Sequence, residues 1–218
     1  MSSAPCASRA PAALAGLLER VENGEWLPPD PWLSLLPAPP GGDAAVLSFP
    51  GHVVVAADLD PAWVSARLPD GDLSAPLNPP FLHACERALG RRVNCVDGLY
   101  LALPATGPAP LDLRPVADLD HPRVRRARRY RPDVRIYTTD GGVLLVGRGL
   151  AGRWEVAIEV DPAYRGRGLG RTLAVAARHL VPGPRPLWAQ VSPGNAASVR
   201  AFLAAGYRPV GAEALLVP

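Results

Sequence analysis

Residues 158–174 constrain the fold of this chain more than any other stretch, because they join a strand pattern to a helix pattern through a glycine-rich turn. The β-branched run 156–160 predicts a strand, which Pro162 ends since proline has no N–H for a sheet ladder. After the glycines, apolar residues recur at helical spacing. The first amides of such a helix lack helical acceptors and carry the positive end of its dipole. The stretch therefore predicts an anion site, where glycines let phosphate oxygens approach the backbone.

The class of anion follows from the spacing of the motif. The dinucleotide fingerprint G-x-G-x-x-G does not fit these glycines, and the preceding Asp-Pro-Ala-Tyr is foreign to it. A P-loop needs Gly-Lys-Ser or Gly-Lys-Thr, whereas all 23 basic residues here are arginine. Both of these nucleotide-binding motifs are therefore excluded.

The turn resembles the acetyl-CoA loop of the GCN5-related N-acetyltransferase (GNAT) family. The family signature Arg/Gln-x-x-Gly-x-Gly/Ala is matched at Arg165, Gly168 and Gly170, after the family's Val-Asp-Pro-x-Tyr lead-in. The resemblance implies that acetyl-CoA is the cosubstrate and that the strand end, the loop and the helix start bind it. The residues so implied are Ile158, Glu159, Val160, Arg165, Gly166, Arg167, Gly168, Leu169, Gly170 and Arg171.

A second family element lies downstream at residues 190–207. It is similar to the family's Asn-x-x-Ala/Ser helix that closes with Gly-Phe/Tyr, here with Asn195, Ser198, Gly206 and Tyr207. Asn195 matches the family asparagine that contacts the pantetheine arm, and it is also a good helix N-cap. With two motifs in order, the resemblance extends over residues 111–218.

The resemblance implies an α/β (α+β) fold for residues 109–218. This is a mixed, mainly antiparallel sheet flanked by helices, splayed between the motif strand and the next to admit the pantetheine arm. The patterns predict the order β-α-β-β-β-α-β-α-β-β, ending in separate strands at 207–211 and 214–217. Residues 1–108 form a second α/β region, which is either a cap or a degenerate acetyltransferase-like lobe. The boundary is predicted at the proline- and glycine-rich seam 105–110.

Local patterns in the first region predict several elements. Residues 1–9 are expected to be mobile, and the proline-rich segment 27–42 to be extended. Helices are predicted at 11–21, 61–68 and 80–89, a hairpin at 44–57, and either one strand or a hairpin at 93–103.

Composition restricts the partners. A net charge of +3 with few aromatic residues makes nucleic acid an unlikely partner, and no apolar run reaches membrane-spanning length. The cysteines Cys6, Cys85 and Cys95 form no CxxC pair, so neither a metal centre nor a disulfide framework is predicted. We expect a cytoplasmic protein whose partners are acetyl-CoA and an unidentified amine, with a homodimer left open.

Acetyl transfer needs a group that takes a proton from the amine. Glu155 and Glu159 are the candidates, since strand periodicity places both on one face, about 13 Å apart. The resemblance places the pyrophosphate at the helix start and the arm back along the strand, so Glu155 is the predicted base. Glu159, water and a purely structural role for both carboxylates remain open.

The leaving thiolate is where the chain departs from the family. Many members carry a tyrosine four residues before the closing glycine, and Phe202 stands there instead.

The chain is predicted to be an N-acetyltransferase for a small primary amine, acting by direct attack in a ternary complex. The alternative is a non-catalytic acyl-CoA-binding module, which Phe202 favours.

One run of arginines, between residues 123 and 131, lies on a helix that borders the acceptor mouth in this family. An acidic acceptor, a CoA phosphate and nucleic acid are its possible ligands, and a solvated helix face is the alternative.

Overall fold

The computed structural model of the chain describes residues 10–39 and 42–218. The first nine residues, which include Cys6 and are predicted to be mobile, lie outside this part of the chain. The described residues divide into two compact units. Unit 1 comprises the residues up to Asp97 together with Val210–Pro218, and unit 2 comprises Gly98–Pro209.

The described residues form six α-helices and ten strands. The helices are α1 (Ala10–Glu22), α2 (Pro61–Ser65), α3 (Pro79–Leu89), α4 (Pro122–Tyr130), α5 (Leu169–Ala177) and α6 (Ala196–Ala204). The strands are β1 (Leu33–Leu36), β2 (Ala44–Phe49), β3 (His52–Ala56), β4 (Arg92–Ala102), β5 (Arg114–Val116), β6 (Arg135–Thr139), β7 (Gly142–Arg148), β8 (Trp154–Val160), β9 (Leu187–Val191) and β10 (Arg208–Val217).

The strands of unit 1 follow the order β1, β3, β2, β10. The predicted hairpin is confirmed: β2 and β3 pair antiparallel around Gly51, whose φ of 75° suits glycine. The side chain of Asp60 accepts a hydrogen bond from the Trp63 amide and begins α2, and Gly90 ends α3 in the left-handed conformation. The proline-rich segment, described up to residue 39, bends at residues 29–32 and then forms β1, which pairs parallel with β3.

Gly211, predicted to end a strand, and Gly98, for which a strand and a hairpin turn were both open, lie inside strands. The separate strands expected at 207–211 and 214–217 are wrong, because β10 is continuous. A Cβ on Gly211 would lie 2.2 Å from the Ser48 oxygen, so glycine lets β10 continue beside β2. Gly98 likewise lies inside β4, where a Cβ would lie 3.1 Å from the ring of Tyr100. Residues 93–103 are therefore a strand and not a hairpin.

In unit 2, residues 98–102 of β4 pair with β9, and β8, β7, β6 and β5 follow in that order. All neighbouring strands run antiparallel except β8 and β9, which are parallel. The predicted mixed, mainly antiparallel sheet with flanking helices is thus confirmed. The division at 108/109 stays a prediction, and a domain starting at 109 would lack the strand that pairs with β9.

The two faces of β8 are covered by different helices. Trp154, Val156 and Ile158 pack in a core with Leu173 and Ala174 of α5. On the opposite face, Val124 and Ala127 of α4 pack with Val143 and Leu145 of β7. The predicted alternation along β8 is confirmed, since Glu155 and Glu159 both contact residues of α4 or its end.

Within the described part of the chain, no helix is both long and apolar enough to cross a membrane. The same residues contain no group of three or more His, Cys, Asp or Glu side chains that could hold a metal ion. Cys85 and Cys95 are free thiols.

Candidate active site

Strands β8 and β9 separate halfway along their length. Their paired register covers only Glu155 with Trp188 and Val156 with Ala189, although β8 continues to Val160. The predicted splay between these strands is therefore present. Ala157 and Gln190 are the first residues beyond the last pair, and both are partly exposed. The gap leads along β8 toward the glycine-rich turn.

The backbone amides of the glycine-rich turn lie at the open end of this gap. Gly166 and Gly168 have φ values of 75° and 85°, and a Cβ at either would meet nothing within 4 Å. Gly168 is the N-cap of α5 and provides no side chain to cap it, so the amides of residues 169–171 have no helical acceptor. An anion can therefore approach this backbone without meeting a Cβ.

The arginines of the turn differ in their contacts. Arg165 donates from Nε to the Val160 carbonyl at 3.0 Å, and its Nη2 lies 3.6 Å from Oε1 of Glu159. Arg167 and Arg171 are exposed. The positive charge at the start of α5 therefore remains open to solvent and to a bound anion.

Helix α6 begins at the predicted N-cap. The side chain of Asn195 accepts a hydrogen bond from the Ser198 amide at 3.1 Å, and a contact between Asn195 and a pantetheine arm stays a prediction. Phe202 is buried, with its ring edge-to-face against Tyr207 at 4.9 Å between centroids. The Tyr207 hydroxyl donates to the Ala174 carbonyl, and burial raises its pKa above the ordinary value although the charge of Arg178 opposes this. Tyr207 is therefore a poor proton donor.

Glu155 lies in a buried ionic group that we call the Glu155 cluster, defined as Glu155, Arg131, Arg153 and Gln190. Its Oε2 accepts from Arg131 Nε at 2.7 Å, and its Oε1 accepts from Arg153 Nε at 2.8 Å. Arg131 also donates from Nη2 to Oε1 of Gln190 at 2.9 Å. Since Gln190 is on β9, the cluster joins the two strands on the α4 face where they separate.

The surroundings of the Glu155 carboxylate hold it ionised. Its residue exposure is 2%, and burial by itself would raise the pKa. The charges and hydrogen bonds of Arg131 and Arg153 outweigh burial, so the pKa lies below the ordinary value of 4.5. Gly149 leaves the space for this arrangement, because a Cβ there would lie 2.0 Å from the carboxylate carbon.

Glu159 forms a similar but more exposed pair at the other end of β8. Its Oε2 accepts from Arg123 Nε at 2.7 Å, and its side chain is 29% exposed. Arg123 and Arg131 are eight residues apart at the two ends of α4, about 12 Å along a helix. Glu155 and Glu159 are about 13 Å apart along the strand. These matched spacings let one helix bind both carboxylates of β8.

The arginine run is therefore largely an ion-paired helix. Besides the two pairs with β8, Arg125 pairs with Asp120 and Arg128 with Asp118. Arg126 and Arg129 lie near the ring of Tyr130. These ion pairs involve Arg123, Arg125, Arg128 and Arg131, and two of them link α4 and its end to β8, the strand before the glycine-rich turn.

Sequence reasoning did not identify the Glu155 cluster. Arg153 stands two residues before Glu155, so strand periodicity already places them on one face. Arg131 carries no such signal, because its distance from Glu155 in the sequence is 24 residues. Only the packing of α4 on the sheet brings the two together. The assignments of Glu155 and of the loop residues as functional residues stay predictions.

Comparison with known proteins supports the family on sequence. Residues 134–207 match the model of the acetyltransferase (GNAT) family. A comparison with curated proteins found no match.

Two solved structures illustrate the similarity. A GCN5-related N-acetyltransferase from Kribbella flavida is 22% identical over 64% of this chain and 64% of that one, with a TM-score of 0.36. An acetyltransferase from the GNAT family from Colwellia psychrerythraea is 13% identical over 66% of this chain and 63% of that one, with a TM-score of 0.41. This chain thus matches less than two thirds of the length of either. The resemblance to the GNAT acetyltransferase family is confirmed over residues 134–207. This segment carries the glycine-rich turn and three members of the Glu155 cluster, Glu155, Arg153 and Gln190.

Proposed function

We propose that this protein is an acetyl-CoA-dependent N-acetyltransferase that acts on a primary amine of a small molecule. The observation that carries the proposal is the separation of β8 from β9 beyond Val156, beside the unshielded start of α5. The gap suits a pantetheine arm, and the amides of residues 169–171 suit its pyrophosphate. Acetyl-CoA is the cosubstrate expected for the matched family. The cytoplasmic location and a homodimer stay predictions.

The proposed reaction is a direct transfer in a ternary complex. The amine nitrogen forms a bond to the acetyl carbonyl carbon, the carbon–sulfur bond breaks, and the sulfur leaves with the electron pair as the thiolate of CoA. One proton leaves the amine. Holding the two reacting groups together can account for several kcal/mol, roughly 7–11 in well-oriented cases. Backbone groups of residues 158–160 are the proposed donors to the thioester oxygen.

Proton removal is the step for which the geometry sets a condition. Glu155 stays the proposed base, but both of its oxygens accept from guanidinium groups and its pKa is low. It accepts a proton only if Arg131 or Arg153 releases one oxygen when the amine binds. The alternative is that water takes the proton from an amine whose pKa the surrounding arginines lower, since like charge disfavours the ammonium form.

A non-catalytic acyl-CoA-binding module is the second candidate. It is favoured by Phe202, which has no proton to give, and by the engagement of both β8 carboxylates in ion pairs. Release of the CoA thiol from acetyl-CoA over a panel of primary amines separates the two. Turnover supports the enzyme. Binding of acetyl-CoA in calorimetry without turnover of any amine supports the module, and absence of binding contradicts both.

A further inference from the structure

The β6–β7 turn, defined as residues 140–142, lies against the residue that precedes the glycine-rich turn. A Cβ on Gly141 would overlap Cγ and both Cδ atoms of the Tyr164 ring. The ring therefore lies directly on the Gly141 backbone, where no side chain fits between the two. The φ of 74° at Gly141 favours glycine as well. Tyr164 is followed at once by Arg165, with which the cofactor signature begins.

Backbone hydrogen bonds connect the same parts of the chain. The amide of Asp161, directly beyond the end of β8, donates to the Gly141 carbonyl at 2.9 Å. The Tyr164 amide donates in turn to the Asp161 carbonyl at 2.8 Å, which closes a short helical turn over Pro162–Tyr164. Gly141 therefore contacts this segment through a backbone hydrogen bond at its start and through the Tyr164 ring at its end.

The start of α5 packs on the neighbouring glycine. A Cβ on Gly142 would lie 2.8 Å from Cδ1 of Leu173 and 3.5 Å from Cδ2 of Leu169. Leu169 is the first residue of α5, directly after the glycine-rich turn. Tyr164 before that turn and Leu169 after it are thus both placed against adjacent glycines of the β6–β7 turn. The two positive-φ glycines between them have open space around them.

We infer that Gly141, Gly142 and Tyr164 are positioning residues, which hold the backbone amides of residues 165–171 in the conformation that acetyl-CoA binds. This inference rests on the proposed function and concerns its cofactor site. A loop that must be ordered on binding lowers the affinity, because the cost of ordering is subtracted from the binding free energy. The thioester is proposed to lie along β8, away from the pyrophosphate, so these residues should affect the affinity for acetyl-CoA and not the rate of the bound complex.

The first test removes the ring. Tyr164→Ala should raise the Kd of acetyl-CoA in calorimetry by about tenfold and change kcat at saturating acetyl-CoA by less than about twofold. Tyr164 is 40% exposed, so the fold is expected to survive this substitution. Tyr164→Phe is the matched control, because it keeps the ring on Gly141 and should keep the wild-type Kd. An unchanged Kd in Tyr164→Ala, or a fall in kcat as large as the rise in Kd, overturns the inference.

The second test displaces the ring. Gly141→Ala places a Cβ where the Tyr164 ring lies, and the Kd of acetyl-CoA should again rise by about tenfold. Gly183→Ala is the matched control, because Gly183 has a φ of 71° and open space, so alanine there brings similar backbone strain without the collision. It should keep the wild-type Kd.

A double variant shows whether the two residues act together. Gly141→Ala combined with Tyr164→Ala has no ring to displace, so its Kd should stay within about twofold of that of Tyr164→Ala alone. Losses that multiply in the double variant would mean that the two residues act independently, and this result would overturn the inference.

The outcomes separate this inference from the proposed function. Calorimetry needs no turnover, so the Kd values test the positioning role in an enzyme and in a binding module alike. If wild type and both single variants bind acetyl-CoA equally, the positioning role is wrong and the proposed function stands. If wild type binds no acetyl-CoA, the proposed function fails, and limited proteolysis with trypsin tests the positioning role. Faster cleavage after Arg165 or Arg167 in Tyr164→Ala, with cleavage within α4 unchanged, then supports it, and equal cleavage overturns it.

Discussion

The two faces of strand β8 differ in chemistry although their residues alternate along one strand. Trp154, Val156 and Ile158 pack against α5 in an apolar core. Glu155 and Glu159 are held by arginines on the α4 face. The apolar face positions the helix whose start is the candidate phosphate site, and the charged face borders the candidate acceptor region. Cofactor affinity and proton handling are therefore expected to respond to different substitutions.

The charged face also differs along its length. Glu155 is buried between two arginines, whereas the Glu159 side chain is 29% exposed. Exposed pairs contribute little because water screens them, while removing one partner of a buried pair leaves uncompensated charge. The same residue type on the same face is thus expected to differ several-fold in its contribution to stability.

The largest predicted effect is on folding. Glu155→Gln should lower the free energy of unfolding by about 3 kcal/mol, because the largely buried Arg131 then loses its carboxylate partner and the buried Arg153 loses one of its partners. Glu159→Gln, the matched control, should cost less than about 1 kcal/mol. Urea denaturation of the two variants beside wild type measures the difference. Equal losses would show that burial does not distinguish the two pairs.

Lowering the pH should remove the contribution that Glu155 makes to the free energy of unfolding. The folded-state pKa of Glu155 is below its ordinary value of 4.5, so its stabilisation is present above that value and is lost as the pH falls through the folded pKa. The gap in stability between wild type and Glu155→Gln should therefore be constant near neutral pH and narrow below about pH 4.5. Denaturation curves across this range check it, and a gap that widens on acidification would contradict the pKa direction.

The proposed role of Glu155 as the general base is tested by enzyme kinetics. If it takes the proton, Glu155→Gln should lower kcat/KM by about 10²-fold, abolish the acid limb of the pH–rate profile and leave acetyl-CoA affinity unchanged. The profile is measured beside Glu159→Gln at a temperature where both variants are folded. A fall in Glu159→Gln alone assigns the base to Glu159. If both variants have the wild-type kcat/KM, the base is water or the acceptor itself, and the two carboxylates are structural.

The turn beside the apolar face is tested by cofactor affinity. Gly168→Val should weaken acetyl-CoA binding by more than about tenfold, since it places a branched side chain where the backbone meets the anion. The φ of 85° at Gly168 strains any substitution, so Gly183→Val, at a φ of 71° and also in open space, is the matched control. Calorimetry with similar affinities for both variants and wild type would remove the loop from the site.

What the sequence predicted well are features with a local cause. The strand, the turn and the helix between residues 154 and 177 follow from periodicity, from Pro162 and from glycines that adopt positive φ. Features that depend on contact with a neighbouring strand or helix were predicted wrongly or were not predicted. Gly211 suggests a break but lies inside β10, because it makes room for the Ser48 carbonyl. Arg131 has no pattern linking it to Glu155, so its pairing became visible only when α4 packed on the sheet.

The smallest predicted effect concerns Phe202, on the apolar face. Its ring packs among apolar side chains and against Tyr207. Phe202→Tyr should cost about 1 kcal/mol, since the new hydroxyl enters this core, and should change kcat less than tenfold. Tyr207→Phe is the control, because it removes a buried hydroxyl bound to the Ala174 carbonyl at a similar cost and without effect on kcat. A rise in kcat well above tenfold in Phe202→Tyr alone would mean that its hydroxyl reaches the leaving sulfur. The apolar face would then take part in proton transfer, and the separation of roles between the two faces of β8 would fail.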